Sequence, residues 1–327
     1  MRAWILDDSP GTYRLGDIDL PDVGPDDVKI RIVASALNQM DLWVTKAMPK
    51  PPLPHVPGCD VAGVVEEVGS AVTHVEAGDE VVVNPGVSPV ADIIALGNDS
   101  PMGRGFKIYG EHCWGGHAEY AIAPARNVVA RPASRSWEEC AAYPLASLTA
   151  LRMLRRARLT PTDTVLVVGI GSGVSCAALA IARRMGARVI ATSRDESKRA
   201  EALEMGADAV IDSAAPRWDV TVDVVIESVG PATFEQSVRA LRPGGRLVVC
   251  GGTSGTTVEI NLPRLFFKQY EIIGSSMGSY EEFTDLTVLV ERGLDVRVDE
   301  VFAFDDYPAA LDRLAAGRQL GKIVLSH

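Results

Sequence analysis

The stretch Gly169-Ile170-Gly171-Ser172-Gly173-Val174-Ser175 follows the β-branched run Thr164-Val165-Leu166-Val167-Val168 and precedes a small-residue segment, 176–185. Strand, glycine turn and helix in that order suit a dinucleotide pyrophosphate, which needs backbone N–H groups at a helix N-terminus and no side chain in the way. Gly169, Gly171, Ser172, Gly173, Val174 and Ser175 are the candidate phosphate cradle. The turn is one residue longer than the simple fingerprint, and Ser175 stands where a third glycine is expected. Serine still packs closely, and its hydroxyl can bond a phosphate. An ordinary tight strand-to-helix turn would use the same glycines, and the βα units that follow favour the nucleotide reading.

About 20 residues on, an NAD site places an acidic residue at the end of the second strand for the ribose hydroxyls. Here the chain reads Ala191-Thr192-Ser193-Arg194-Asp195-Glu196-Ser197-Lys198. Thr192 and Ser193 are small hydroxyls, and Arg194 and Lys198 supply positive charge to a 2′-phosphate, so NADPH is expected over NADH. Two other readings stand beside this one. Ser193 can cap the next helix with Glu196 as its partner, leaving Arg194 and Lys198 as solvated charges. Asp195 can be the ribose acid if the strand runs further.

The elements that must position these residues alternate. Segments 165–168, 188–191, 209–211, 222–226, 246–249 and 271–273 read as buried parallel strands, and 175–185, 196–205 and 232–241 as helices between them, with Gly186 and Gly206 as C-terminal caps. Such alternation predicts an α/β doubly wound sheet. Before residue 125 the texture is β-rich and broken by Pro and Gly, as at 28–36, 61–68, 80–83 and 118–123. After residue 278, helix, strand, helix and strand (281–292, 301–304, 307–316, 322–325) form a tail too short to fold alone, which is expected to complete the N-terminal module.

The chain has 327 residues, 47% hydrophobic and 23% charged, with a formal net charge of −11, so phosphate backbones and anionic lipid surfaces are disfavoured partners. Its five cysteines (59, 113, 140, 176, 250) are scattered without a Cys-x-x-Cys pair, which fits a reducing cytoplasm. The first residues lack the apolar core of a signal peptide. The uncharged segment 164–182 approaches membrane-spanning length, but its central glycines favour strand, turn and helix over a span.

Five further motifs carry a resemblance: Ala36-Leu37-Asn38-Gln39-Met40-Asp41, Pro57-Gly58-Cys59-Asp60-Val61-Ala62-Gly63-Val64-Val65, Gly78-Asp79-Glu80-Val81, Leu148-Thr149-Ala150 and Leu241-Arg242-Pro243-Gly244-Gly245. With the closing Gly321-Lys322-Ile323-Val324-Leu325, the chain resembles the medium-chain dehydrogenase/reductase superfamily over its whole length. Within it the chain looks most like the zinc-independent quinone oxidoreductase-like and enoyl reductase-like branch. The resemblance implies a Rossmann domain over 134–278 and a discontinuous GroES-like β-barrel domain over 1–133 and 279–327. It implies hydride transfer between NADPH and a small carbonyl, enone or quinone substrate in a cleft between the two.

In the alcohol dehydrogenase branch the catalytic metal takes a cysteine and the histidine of a Gly-His-Glu motif. The corresponding positions here hold Asn38 and Cys59, with Asp60 in the glutamate place, and the third ligand position falls near Leu145-Ala146-Ser147. No metal is expected, since tetrahedral zinc needs three Cys, His or carboxylate ligands. The structural-zinc lobe of that branch maps to 84–111, which contains no cysteine. A cryptic site of His112, Cys113 and His117 with Cys59 is the alternative.

Without zinc, donors must stabilise an enolate and a proton must reach the α-carbon. By the resemblance, the catalytic candidates are Asn38, Asp41, Lys46 and Thr149. Asn38 can donate an amide hydrogen or tie its own loop together. Asp41, of the Asn-x-x-Asp pair, reads more readily as structural. Lys46 or water is left as proton donor, because no tyrosine follows the motif. Trp43, Lys46 and Met48 are candidates for the substrate mouth. Gly251, Gly252, Thr253, Ser275, Ser276 and Met277 fall at strand ends that meet the nicotinamide half, and Lys322 is expected to reach the cofactor. Segment 258–270 resembles the edge used for dimerisation, so a homodimer is expected. The competing functions are an alcohol or aldehyde dehydrogenase of the same superfamily and a non-catalytic NADPH-binding protein.

Overall fold

A computed structural model describes residues 1–327, which divide into two compact units: Met1–Leu148 with Gly278–His327, and Thr149–Met277. The division falls at Thr149 rather than at residue 134. The reason is that helix Trp137–Ala142 packs on strands Asp27–Ala36, Asp60–Val68 and Lys322–Ser326 of the first unit. The chain passes between units within helix Pro144–Arg156.

The discontinuous unit is built on Asp27–Ala36, where Val28, Ile30 and Ile32 face the core between outward Lys29 and Arg31. This strand pairs antiparallel with Asp60–Val68, Tyr120–Pro124 and Lys322–Ser326. The sheet path runs Val298–Ala303, Lys322–Ser326, Asp27–Ala36, Asp60–Val68, Glu80–Val83, Val128–Ala130, and its two ends do not bond to each other, so the barrel is open. The tail does complete this module: Phe304, Tyr307, Ile323 and Leu325 share a core with Trp4 and Leu37. Within 84–111, a small hairpin (Gly86–Val87 with Lys107–Ile108) frames helix Val90–Leu96.

The second unit is a six-stranded parallel sheet in the order Ala209–Asp212, Arg188–Ser193, Thr164–Val167, Val222–Glu227, Leu241–Val249, Glu271–Gly274. Strand order reverses between Thr164–Val167 and Val222–Glu227, the place where such sheets hold a dinucleotide outside their C-terminal ends. Leu166, Ile190, Val225, Phe234 and Leu247 form its core. Helices Gly173–Arg184 and Glu196–Glu204 end one residue before Met185 and Met205, and Gly186 and Gly206 follow at positive φ. The fifth strand starts at Leu241, five residues earlier than its sequence suggests. Pro243-Gly244-Gly245 is absorbed there as a register shift, with Gly244 at φ +74°. Segment 164–182 resolves into strand, turn and helix, and no helix is long and apolar enough to cross a membrane.

Candidate active site

In the first unit, Asn38 caps the short helix Gln39–Trp43, and the Asp41 carboxylate accepts the Asn38 backbone N–H at 2.7 Å. Three side chains far apart in sequence then meet. Lys322 Nζ donates to Asn38 Oδ1 at 2.7 Å, to Asp60 Oδ2 at 2.7 Å and to the Leu37 carbonyl at 2.6 Å. Asn38 Nδ2 donates to Asp60 Oδ2 at 2.9 Å, and the Leu145 N–H donates to Asp60 Oδ1 at 2.7 Å. Lys322 and Asp60 are buried, and a buried ion pair persists only where its remaining protons and lone pairs are satisfied, as here. All three ammonium hydrogens have acceptors, so Lys322 braces Asn38 and Asp60 instead of presenting a free cation. The second Asn38 amide contact, to the Ala36 carbonyl, is 3.5 Å long.

Asp41 Oδ1 lies 3.6 Å from His117 Nε2 in a fully buried pocket. His117 Nδ1 meets Ser35 Oγ at 2.9 Å, which meets His327 Nε2 at 2.8 Å. Tyr13 donates to the Asp41 carbonyl at 2.8 Å. Gly58, at φ +103°, sits so close to His117 that a Cβ there would fall 2.7 Å from its backbone nitrogen. Lys46 is exposed at the end of the turn Val44–Lys46.

Cys59 is fully buried, and that burial, followed by the charges of Asp41, Asp60 and Glu111, pushes its thiol well above the usual range. A thiol so placed is a weak nucleophile and a weak metal ligand. His112 is engaged by the Ile108 N–H, while His117 points inward to Ser35 and Asp41. No three His, Cys, Asp or Glu side chains are placed to hold a metal ion, so the donor set does not fit a tetrahedral zinc site. Glu111, absent from the sequence candidates, is the unexpected group: burial pushes its carboxyl up to about 7. No motif marks it, because the shift comes from its surroundings alone.

In the second unit, Gly169 takes φ +70° where the strand Thr164–Val167 turns toward the helix. Thr192 holds this turn from the neighbouring strand: its hydroxyl accepts the Gly169 N–H at 3.0 Å, and its carbonyl accepts the Ile170 N–H at 2.7 Å. Ser172 and Ser175 form a reciprocal cap, and the Ser175 hydroxyl reaches the Gly169 carbonyl at 2.8 Å. This bond explains a serine at the third glycine position. The N–H groups of Gly173 and Val174, in the first helical turn, have no acceptor within the helix and suit an anion.

The second strand ends at Ser193, whose hydroxyl accepts the Asp195 N–H at 3.1 Å. Asp195, not Ser193, caps helix Glu196–Glu204, accepting the N–H groups of Ser197 and Lys198 at 2.8 and 3.3 Å. The carboxylate nearest the strand end is thus engaged by its own helix, and Arg194 beside it is exposed. Gly251, Gly252 and Thr253 follow the fifth strand, and Ser275, Ser276 and Met277 the sixth. The Ser275 hydroxyl is buried without a partner, an orphan that a bound group at this edge would satisfy. Thr149, buried, opens this unit.

Comparison with known proteins agrees with this arrangement. The family model of the zinc-binding dehydrogenase matches residues 173–292, and that of the alcohol dehydrogenase GroES-like domain matches residues 24–133. The chain belongs to the medium-chain dehydrogenase/reductase superfamily, a class of oxidoreductases. A solved NAD-dependent alcohol dehydrogenase superposes with a TM-score of 0.95 at 36% identity, covering 100% of both chains. The 2-methylene-furan-3-one reductase of Solanum lycopersicum is 32% identical over 99% of this chain and 79% of that one. The crotonyl-CoA carboxylase/reductase of Cereibacter sphaeroides is 28% identical over 90% of this chain and 78% of that one.

Proposed function

We propose that this chain is an NADPH-dependent reductase that delivers hydride to an activated C=C bond of an enone, enal or enoyl compound, or to a quinone, without catalytic zinc. The observation that carries the reading is the Asn38–Asp60–Lys322 brace. At one position where a metal-dependent relative would need a ligand, the Asn38 amide is committed to a buried lysine, as is the Asp60 carboxylate in the glutamate place beside the second. The remaining thiol, Cys59, is held protonated.

A bound reduced nicotinamide supplies the hydride. The turn from Gly169 to Ser175 would hold the pyrophosphate, with Arg194 and Lys198 at the 2′-phosphate beside Thr192 and Ser193. Gly251, Gly252, Thr253, Ser275, Ser276, Met277 and Thr149 would frame the nicotinamide half. Asp195 caps its own helix through Oδ1, and Arg194 and Lys198 stand on either side of it, which supports NADPH. Within the discontinuous unit, Asn38, Asp41 and Lys322 keep the loop that begins the helix Gln39–Trp43 in one shape. The α-carbon needs a proton, and Glu111, near 7, has one to give at neutral pH, as does the exposed Lys46.

The second reading, an alcohol dehydrogenase, is favoured by the 36% identity with the solved enzyme of that name. The test is NADPH oxidation by metal-free protein against enals, enones, quinones and saturated aldehydes, with product analysis. Saturated carbonyl products are expected. Allylic alcohols, or turnover that appears only on adding zinc, would overturn the zinc-free reading. A homodimer is part of the proposal: Leu262, Phe266 and Phe267 are exposed on the helix before the edge strand Glu271–Gly274. Light scattering at micromolar concentration should give twice the chain mass.

A further inference from the structure

Glu227 ends the fourth strand of the parallel sheet and is completely buried, yet it belongs to no motif noted above. Its Oε1 accepts the N–H groups of Val229 and Gly230 at 2.7 and 3.1 Å. The Thr233 hydroxyl reaches both carboxyl oxygens, at 3.1 and 3.0 Å, and the Ser237 hydroxyl reaches Oε2 at 2.6 Å. One carboxyl group therefore folds the whole strand-to-helix connection, from Ser228 to the first turn of helix Phe234–Ala240.

That connection in turn seats its neighbours. The N–H groups of Thr253 and Ser254 donate to the carbonyls of Ser228 and Val229 at 3.3 and 2.8 Å. The Ser254 hydroxyl also donates to the Val229 carbonyl at 2.6 Å and accepts the Ala232 N–H at 3.1 Å. Gly230, at φ +91°, meets Gly252 and Gly255 so tightly that a Cβ on it would lie 3.0 Å from the Gly255 carbonyl oxygen. On its other side, Val229 Cγ2 stands 3.0 Å from where a Cβ on Gly169 would be. Two segments at the C-terminal edge of the sheet, Ser228–Thr233 and Gly251–Gly255, thus take their positions from one side chain, while the Gly169 turn beside them is held by Thr192.

In a doubly wound sheet the strands on the two sides of the order reversal serve the two halves of a dinucleotide. Thr164–Val167 and Arg188–Ser193 lie toward the adenine half, and Val222–Glu227 with Leu241–Val249 toward the other. We propose that Glu227 is a positioning residue that holds the Ser228–Thr233 and Gly251–Gly255 loops in the shape that receives the nicotinamide half. The inference rests on the dinucleotide reading of this unit.

The experiment is Glu227→Gln in the full chain, which keeps the size of the side chain but turns one acceptor oxygen into a donor facing N–H and hydroxyl donors. Binding of NADPH and NADH is titrated beside the nicotinamide-free halves adenosine 2′,5′-bisphosphate and ADP. A roughly tenfold weaker binding of the whole dinucleotide is expected, with the adenine halves unchanged within about twofold, because preorganisation is lost only on one side. Equal weakening of whole and half would make Glu227 a merely structural residue and overturn the proposal, as would unchanged binding of both. Failure of the unaltered chain to bind either dinucleotide would instead sink the reading beneath it. Ser237→Ala, which removes a single hydroxyl donor, covers the case in which Glu227→Gln does not fold, and a selective loss of roughly threefold is expected from it.

Discussion

All five histidines lie in the discontinuous unit, at 55, 74, 112, 117 and 327, and the parallel-sheet unit Thr149–Met277 has none. The buried polar groups of the first unit are largely side chains meeting other side chains over long sequence distances: Asn38 with Asp60 and Lys322, and Asp41 with His117, Ser35 and His327. Those of the second unit mostly serve backbone: Asp195 its own helix, Glu227 the loop that follows it, and Thr192, from the neighbouring strand, the glycine turn. A side chain that satisfies local backbone replaces bonds the chain would otherwise lose, and its geometry is set by a few residues. Distant side-chain pairs are set by the whole fold and hold titratable groups away from water, where their protonation becomes part of stability. The first unit should therefore be the fragile one toward charge and acid.

The largest effect expected from this contrast is at Lys322. Lys322→Met leaves the Asp60 carboxylate buried without its cation, and removing one partner of a buried pair costs about 3–5 kcal/mol. Calorimetry should show the loss in the discontinuous unit; an unchanged melting profile would mean that the brace is not a buried ion pair in solution.

Acid comes next. Burial holds the His55 imidazole below the usual range. The unfolded chain then binds protons more readily than the folded one, so stability present above about pH 6.5 falls as pH drops below that value. Glu111 acts in the opposite sense. With its carboxyl raised to about 7, the folded form favours the protonated group, and stability is lost as pH rises from about 4.5 through 7. Glu111→Gln should therefore stabilise the protein at pH 8 by about 1–2 kcal/mol, a value reduced for partial solvation, and leave pH 4 nearly unchanged. Urea titrations across pH 4 to 8 separate the two slopes. A flat profile would remove the distinction between the units.

The smallest effect sharpens the comparison from the other side. Asp195→Ala should cost about 1 kcal/mol as a lost helix cap and leave the NADPH to NADH preference where it was. A shift in preference toward NADPH would show that Asp195 faces a ribose after all.

The same contrast explains what the sequence discloses. Strand periodicity and turn glycines are local, so Thr164–Val167, Val222–Glu227 and the caps at Gly186 and Gly206 emerge within a residue or two. Leu241–Val249 is longer than its pattern because the Pro243-Gly244-Gly245 turn sits inside the pairing. The glycine turn at Gly169–Ser175 is legible for the same reason, whereas the Ser175 hydroxyl, read from the sequence as a phosphate donor, bonds the Gly169 carbonyl instead. Asn38, Asp60 and Lys322 are each noticeable, but nothing local joins residue 38 to residue 322; only the antiparallel pairing of Asp27–Ala36 with Lys322–Ser326 does. Glu111 has no signature, since its altered carboxyl is a property of the pocket.

The strand Lys322–Ser326 lies between Val298–Ala303 and Asp27–Ala36. During synthesis the ribosome finishes every strand of the parallel sheet, which ends at Gly274, before it makes this one. The parallel-sheet unit can thus fold on the nascent chain while the Ala34–Ala36 end of one edge of Asp27–Ala36, beyond its pairing with Tyr120–Pro124, waits unpaired and exposed to any other strand that comes near it. The protein's vulnerable interval in the cell is the time taken to translate from residue 274 to residue 326 and close that edge.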